Sequence, residues 1–503
     1  MTRARFPQLL AAVAVLAGVA AWVTFAREGL VLSHYDARAH LVVARRVIDS
    51  LTPGWQQLGA VWLPLPHLIQ LLPSQIDLFY RTGAFASATS IAAFAVTVWA
   101  AASLVLRATA SRLGAATAAA LLVLNPNLLY LQSTPMTEPL LLAVTFVAVL
   151  WLYDWVSLTE SHPAAAGHAP VKLGWALVAA AWTRYEAWPI IAAGLVAAGF
   201  AMWRRGDPPA TVLARIARVV AWPAAAVLLF LLNSRLTVGA WFVSGGFYEI
   251  DPLYDGRPWR SLVAVWWGTH QLSGYVLESV ALITAAGLTI RALGRRDAAT
   301  LLVPLALFAA AALPFYGFYQ GHPYRVRYMV PAMAACLLFC GIAVGLLSRV
   351  VAIRTAHLQG MVLAALLIAF SLIESPPLST RAPLIEEAQW DLPRSRERRA
   401  VTACLAPHYR GEKVMASMGS LAHYMQELAE ERFAIADFLH EGNGTLWELA
   451  LETGPAPHVG WMLLEEQSEG GDVLTRRVRE HPEFARGMVR VCEGGGVALY
   501  KRE

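Results

Sequence analysis

The chain has 503 residues, 57% of them hydrophobic and 15% charged, with a formal net charge of +5 and a mean hydropathy of +0.49. A soluble protein of this length carries roughly a quarter charged residues, so the composition excludes a water-soluble enzyme built on one large core and points to a polytopic membrane protein. The charge is uneven: residues 1–374 hold 25 Lys/Arg against 15 Asp/Glu, and residues 375–503 hold 15 against 20. A basic membrane part is thus followed by a mildly acidic soluble part, and the basic excess argues for anionic lipid as a partner and against nucleic acid.

Eleven membrane spans are predicted, near 8–26, 82–106, 113–131, 137–158, 172–183, 187–203, 216–236, 271–290, 299–316, 328–348 and 358–374. The N-terminal run MTRARFPQLLAAVAVLAGVAAWVTFA has the arginines and apolar core of a signal peptide. Its apolar part is too long for one and no cleavage site follows, so a retained first helix is expected. With Arg3 and Arg5 inside, the short inner loops collect Arg107, Arg112, Lys172 and the Arg204–Arg218 group, in line with the positive-inside rule. Eleven spans then leave the C-terminal tail outside, and the outer face gathers most of the acids. Polar residues concentrated on one face of a membrane protein mark a functional site.

The first outer stretch, SHYDARAHLVVARRVIDS (33–50), reads at helical spacing with Leu41, Ala44, Val47 and Ile48 on one side and Arg38, Arg45, Arg46 and Asp49 on the other. That pattern predicts an amphipathic helix at the outer interface with its charged face toward headgroups or water. Asp36 stands at its start and has two readings: an N-cap, or a general base facing a cavity with His40 one turn along the same face. Next, GWQQLGAVWLPLPHLIQLLP carries two Trp, three Pro and one His, with Trp55 and Trp62 suited to an interfacial belt.

Glu138 in TPMTEPLLL opens the fourth span, where an acid suits a helix N-terminus as well as a site. The run 172–203 exceeds one crossing of about 20 residues, so a hairpin is expected at TRYEAWP, with Arg184, Tyr185 and Glu186 at its hinge. Arg184 there either pairs with Glu186 or contacts substrate. In the outer loop 239–270, YEIDPLYD offers Glu249, Asp251 and Asp255 as ligands for Mg²⁺ or Mn²⁺. Solvated loop acids are the preferred account, and no metal cofactor is expected. GHPYRVRYMVP enters the tenth span with Arg325 and Arg327 flanked by Tyr324 and Tyr328. Guanidinium groups bind phosphate oxygens in bidentate fashion, so this is a candidate phosphate clamp, with headgroup anchoring as the alternative.

After a proline-rich linker at ESPPLSTRAP, the tail alternates helix (RERRAVTACLAPHY, SLAHYMQELAEE, DVLTRRVREH) and strand (EKVMAS, HVGWMLLE, GVALYKR), which predicts a small α/β domain over 375–503. Cys336 and Cys340 fall in an apolar run and pack. Cys404 and Cys492 in the tail either pair, if the tail is extracytoplasmic, or remain core thiols.

Taken in order, the early outer acid with its amphipathic helix, the WLPLP segment, the TEPL turn, the RYEAWP hairpin, the RYMVP span and an outside C-terminal domain resemble the GT-C superfamily of polyprenyl-phosphate-sugar glycosyltransferases. The branch most resembled holds the protein O-mannosyltransferases and aminoarabinose lipid A transferases. The resemblance covers residues 1–374 and implies an α-helical GT-C-like membrane domain with a cavity at the outer face of the cytoplasmic membrane. It implies a lipid-linked sugar as donor, a lipid, glycan or protein as acceptor, and Asp36 as the base. His40, Glu138, Arg184, Tyr185, Glu186, Tyr324, Arg325, Arg327 and Tyr328 are then substrate-binding. The chemistry fits: an acceptor hydroxyl or amine attacks the anomeric carbon with inversion, a carboxylate takes its proton, and a lipid phosphate leaves as a stable anion. Ala37 stands where many relatives have a glutamate, and Leu63-Pro64-Leu65-Pro66 replaces a Lys-Pro-Pro, so no phosphate-binding lysine is expected there. The Trp-Trp-Asp-Tyr-Gly signature of oligosaccharyltransferases is absent. A transporter or flippase of a lipid-linked saccharide is the rival class. It would want paired broken helices and polar groups at mid-membrane depth, for which only Asp154 and Glu278 qualify.

Overall fold

Apolar runs decide the architecture, because a backbone in hydrocarbon must satisfy its own hydrogen bonds. The computed structural model describes residues 5–161, 171–243, 248–350, 354–390, 392–421, 433–467 and 472–503, the side chains at 160–161, 349–350, 354–356, 392–397 and 402 excepted. Among them nine helices are long and apolar enough to cross a membrane: Phe6–Arg27, Ala84–Thr109, Glu138–Thr159, Ala187–Arg205, Pro209–Val238, Tyr275–Gly294, Arg296–Tyr319, Val326–Ser348 and His357–Glu374. Two shorter apolar helices, Arg112–Leu124 and Val171–Ala181, fall where the other two spans are expected.

Three boundaries differ from the sequence reading, each for a local reason. The span expected at 113–131 breaks after Leu124. Asn125 adopts an extended conformation and its side-chain oxygen caps the next helix, Pro126–Leu131, by accepting from the Asn127 and Leu128 N–H groups. The span expected at 271–290 begins instead at Tyr275. Gly274 at φ +82° ends the preceding helix Pro258–Ser273, a conformation that a side chain resists. That helix occupies part of what the sequence suggests is a loop at 239–270. The segment Arg296–Ala311 winds in 3₁₀ turns around Pro304 before continuing as an α-helix over Ala312–Tyr319.

The chain falls into two compact units. The helical one comprises Met1–Glu28, Ser87–Leu232 and Pro252–Glu386; the mixed one comprises Gly29–Ala86, Asn233–Asp251 and Glu387–Glu503.

In the helical unit small residues set the closest approach. A Cβ on Gly114 would lie 2.5 Å from the Gly341 carbonyl oxygen, and Gly345 sits one turn beyond Gly341. This is the small-xxx-small packing by which membrane helices gain contact without a hydrophobic driving force between them. Phe25, Tyr130 and Trp155 are fully buried in the same unit.

The mixed unit carries a five-stranded sheet of β1 (Val414–Ala416), β2 (Phe438–Leu439), β3 (Trp461–Glu465), β4 (Met488–Gly494) and β5 (Val497–Arg502), in the order β2-β1-β3-β5-β4. The three members on the β2 side are parallel, and β3-β5-β4 are antiparallel. Gly495 and Gly496, both at positive φ, turn β4 into β5, the backbone a tight hairpin demands. Met415, Leu439, Trp447, Met462, Leu464 and Leu474 form its core, with Leu51 of the first outer stretch packed against it. Cys404 and Cys492 form a disulfide that ties the helix Leu392–Leu405 to edge strand β4. Of the predicted tail elements, the helix at SLAHYMQELAEE lies almost wholly outside the described residues.

Candidate functional site

Two polar clusters stand out, one in each unit. In the helical unit, the hinge predicted at TRYEAWP joins Val171–Ala181 to Ala187–Arg205. Its Arg184 places Nη1 3.1 Å from Glu138 and Nη2 2.7 Å from Glu186, and also donates to the Thr137 hydroxyl at 2.9 Å. Glu138 and Glu186 are 1% and 3% exposed, so each is a carboxylate taken out of water beside this guanidinium. Burial works against the charge on Arg184, but the two carboxylates outweigh it and hold the group above its ordinary range, with Arg327 opposing them. The structure thus groups Glu138, Arg184, Glu186 and Arg327. Neither Glu138 oxygen has a hydrogen-bond partner among the described residues; the ion pair with Arg184 lacks hydrogen-bond angles. Tyr185 turns edge-on to Trp188 and Phe230, with ring centroids 5.2 and 6.2 Å away.

The segment around Arg325 is a hydrogen-bonded turn. Tyr324 donates to Gln271 Oε1 at 2.7 Å, and Arg325 donates to the Tyr324 carbonyl at 3.2 Å. Tyr328 and His322 meet at 3.3 Å. Arg327 is buried, its guanidinium 5.3 Å from the Tyr328 ring centroid, whereas Arg325 is only half-buried. Two arginines two positions apart therefore serve different surroundings. Gly268 keeps room for this turn, since a Cβ there would lie 2.7 Å from the Tyr324 hydroxyl oxygen.

In the mixed unit, the predicted amphipathic helix exists as Tyr35–Arg46, with two corrections. Its N-cap is His34, whose Nδ1 accepts the Asp36 N–H at 3.0 Å, so Asp36 lies in the first turn and its carboxylate is not the cap. The charged face does not meet water: Arg38 and Arg46 are 8% and 5% exposed. Arg45 pairs with Asp49 at 2.9 Å and Asp77 at 2.7 Å and lies over the Tyr80 ring. The tail covers this helix. Asp49 accepts the N–H groups of Ile435 and Ala436, Tyr35 donates to the Gly419 carbonyl, and Gln57 donates to the Gly442 carbonyl. A helical pattern reports which residues share a face, and only tertiary structure reports what covers each face.

His40 is buried, with Nδ1 3.0 Å from His67 Nε2 and its ring against Trp62. Sequence reading missed His67; its signal was a lone histidine in the apolar segment directly after WLPLP. A second missed group surrounds Arg46, where burial lowers the guanidinium to about 10 despite Glu441 and Tyr35. His440 takes the Gly442 N–H on Nδ1, and burial, then the Arg46 charge, push it down to about 3.

Burial also pushes the Glu441 carboxyl up to about 7. An acid raised on folding is stabilising in its protonated form, so that contribution is present below the unfolded value near 4.3 and lost as pH rises toward about 7. The stability of the detergent-solubilised protein against thermal unfolding is expected to fall from about pH 5 to about pH 8, by up to about 3 kcal/mol from this group. Glu441→Gln should flatten that slope, and an unchanged slope would remove Glu441 as its source.

Among the described residues no three His, Cys, Asp or Glu side chains are gathered as metal ligands, and Glu249 and Asp255 are exposed. Of the acids that a transport pathway would use, Asp154 pairs with Arg107, and Glu278 sits in the first turn of Tyr275–Gly294.

No protein-family model matches the sequence, and no curated protein matches it. Among solved structures, the chain is similar to ArnT from Cupriavidus metallidurans, in a crystal structure with undecaprenyl phosphate bound. The superposition has a TM-score of 0.54 at 10% identity and covers 99% of this chain and 98% of that one. The α-helical membrane fold with a small C-terminal sheet domain, expected of the GT-C superfamily, is thus the fold that this chain shares with ArnT over nearly its whole length.

Proposed function

We propose that the protein is an integral-membrane glycosyltransferase that moves a sugar from a polyprenyl-phosphate carrier to a lipid, glycan or protein acceptor, with inversion. The observation that carries this reading is the fold shared end to end with ArnT, a protein crystallised with undecaprenyl phosphate. In this reading Asp36 is the general base. The acceptor O–H or N–H bond breaks as its proton passes to the carboxylate, a new bond forms at the anomeric carbon, and the C–O bond to phosphate breaks on the opposite face. The lipid phosphate leaves as an anion. Arg325 and Arg327 receive its oxygens, with Tyr324 and Tyr328 beside them, because guanidinium groups hold phosphate in partial burial. His40, Glu138, Arg184, Tyr185 and Glu186 contact donor or acceptor.

The membrane is the cytoplasmic membrane and the reacting face is extracytoplasmic. The Cys404–Cys492 disulfide supports this side for the tail, since such bonds persist in oxidising compartments. The test is turnover of a panel of radiolabelled polyprenyl-phosphate sugars in proteoliposomes. Release of polyprenyl phosphate with one member of the panel is the expected result. Movement of intact lipid-linked sugar between leaflets, without release, would overturn the reading.

A further inference from the structure

The helices Ala187–Arg205 and Pro209–Val238 are consecutive in the chain, yet a groove of about 760 Å³ runs between them. Pro209–Val238 is pinned instead to Val171–Ala181. Gly174 makes room for Trp222, whose ring a Cβ there would strike, and Trp182 Nε1 donates to the Ala226 carbonyl at 2.7 Å. The groove is walled by Leu195, Gly199 and Trp203 on one helix and by Val212, Ile216 and Val220 on the other, and no charged residue lines it. From Trp188 to Trp203 it extends roughly 22 Å at the helical rise, more than half of a hydrocarbon core about 30 Å thick, so a whole acyl chain fits along it. Its two ends differ in charge. Trp188 follows the hinge, where Arg184 and Arg327 are matched by Glu138 and Glu186. Trp203, 52% exposed and suited to headgroup depth, opens the other end, where residues 203–219 carry Arg204, Arg205, Arg215 and Arg218 against Asp207. Two of these arginines serve the fold: Arg205 bonds Thr159, Thr300 and the Val156 carbonyl, and Arg215 pairs with Asp207 at 2.9 Å.

We infer that this groove binds an anionic glycerophospholipid, with its phosphate at the arginines of residues 204–218 and one acyl chain between the two helices. The basic excess of the membrane part thereby acquires a location. Charge fixes the orientation, because the arginine-rich end attracts an anionic headgroup and the balanced hinge end does not. A polyprenyl-phosphate donor would lie the other way round, with its phosphate toward the hinge. The bound lipid is therefore neither donor nor acceptor. It fills the space between Pro209–Val238 and Ala187–Arg205 with hydrocarbon, which supplies the dispersion contacts that an empty groove forfeits. The inference goes beyond the transferase reading and does not depend on it.

Equilibrium binding of radiolabelled phosphatidylglycerol to the full chain in detergent, competed by unlabelled lipids, tests this. Phosphatidylglycerol should compete roughly thirtyfold better than phosphatidylethanolamine of the same acyl chains, the preference that two basic residues near a headgroup supply. Raising the salt from roughly 0.15 to 1 M shortens the Debye length from about 8 to 3 Å and should erase most of that preference. So should Arg204→Gln combined with Arg218→Gln, which leaves the fold contacts of Arg205 and Arg215 in place. Gly199→Leu keeps every charge and plugs the groove, and should weaken binding about tenfold, as expected for two displaced CH₂ groups. Gly199→Ala should bind as wild type, since its Cβ would lie 3.5 Å from Ile216, an ordinary contact. Equal competition by phosphatidylethanolamine, or binding unchanged in both the arginine and the Gly199→Leu variants, would overturn the inference. Undecaprenyl phosphate displacing the label more strongly than phosphatidylglycerol itself would also overturn it, and would give the groove to the donor's chain.

Discussion

Asp36→Asn is expected to lower polyprenyl-phosphate release by about 10²–10⁴-fold, the range for loss of a general base, while binding of undecaprenyl phosphate is unchanged. The substitution is nearly isosteric and removes only the ability to take a proton. It also spares the local fold. The helix Tyr35–Arg46 is capped by His34 through the Asp36 backbone N–H, which asparagine keeps. Asparagine also caps helices about as well as aspartate, so the substitution carries no helix-capping cost. Here a fall in kcat with an unchanged melting profile reports chemistry. Turnover of the radiolabelled donor, wild type beside variant, decides it: release at the wild-type rate would keep the enzyme class and discard Asp36 as the base.

Much of this was legible from residue pattern, because a bilayer makes strong demands on sequence. A crossing helix needs about 20 apolar residues, so the spans, the hairpin at Arg184 and the change of texture after the proline-rich linker were readable. The errors fall where one residue acts against its neighbours. Asn125 interrupts an apolar run because its side chain caps the helix after it, and Gly274 ends a helix by adopting a positive φ. Neither changes hydropathy enough to register. Strand β4 was missed because it is an edge strand whose pattern mixes Arg490 and Glu493 with valines.

The candidate site was legible in residue types and much less so in pairings. Arg184 and Glu186 are two apart, but Glu138 is distant in sequence, and only packing of helices brings it to the same guanidinium. Likewise Arg46 looked like part of a solvated face, because helical periodicity cannot say that residues 435–443 of the tail cover it. What the mixed unit adds is rigidity around the proposed base. Asp49 holds two tail N–H groups while pairing with Arg45, so the first outer stretch and the tail form one hydrogen-bonded body.

Arg184→Met should destabilise the protein by about 3–5 kcal/mol, the usual cost of removing one member of a buried ion pair. The reason lies in what remains. Glu138 and Glu186, at 1% and 3% exposure, would keep their carboxylates out of water with no cation at 3.1 and 2.7 Å. The two acids would also repel each other. If that is the mechanism, a variant combining Arg184→Met with Glu138→Gln and Glu186→Gln should recover most of the loss, since the carboxamides match the acids in shape and carry no charge. Thermal and denaturant melts in detergent measure both. An Arg184→Met protein as stable as wild type would mean that the acids find other cations, and failure of the triple variant to recover would assign the loss to packing of the arginine stem. The conservative Arg184→Lys separates stability from substrate contact. An ammonium still neutralises a carboxylate but cannot reproduce the fork that reaches Glu186, Glu138 and Thr137 together. A lysine variant that folds normally with a raised donor KM would place this cluster at the substrate, and one with unchanged KM and kcat would leave it the structural pin that holds the hairpin to the fourth span.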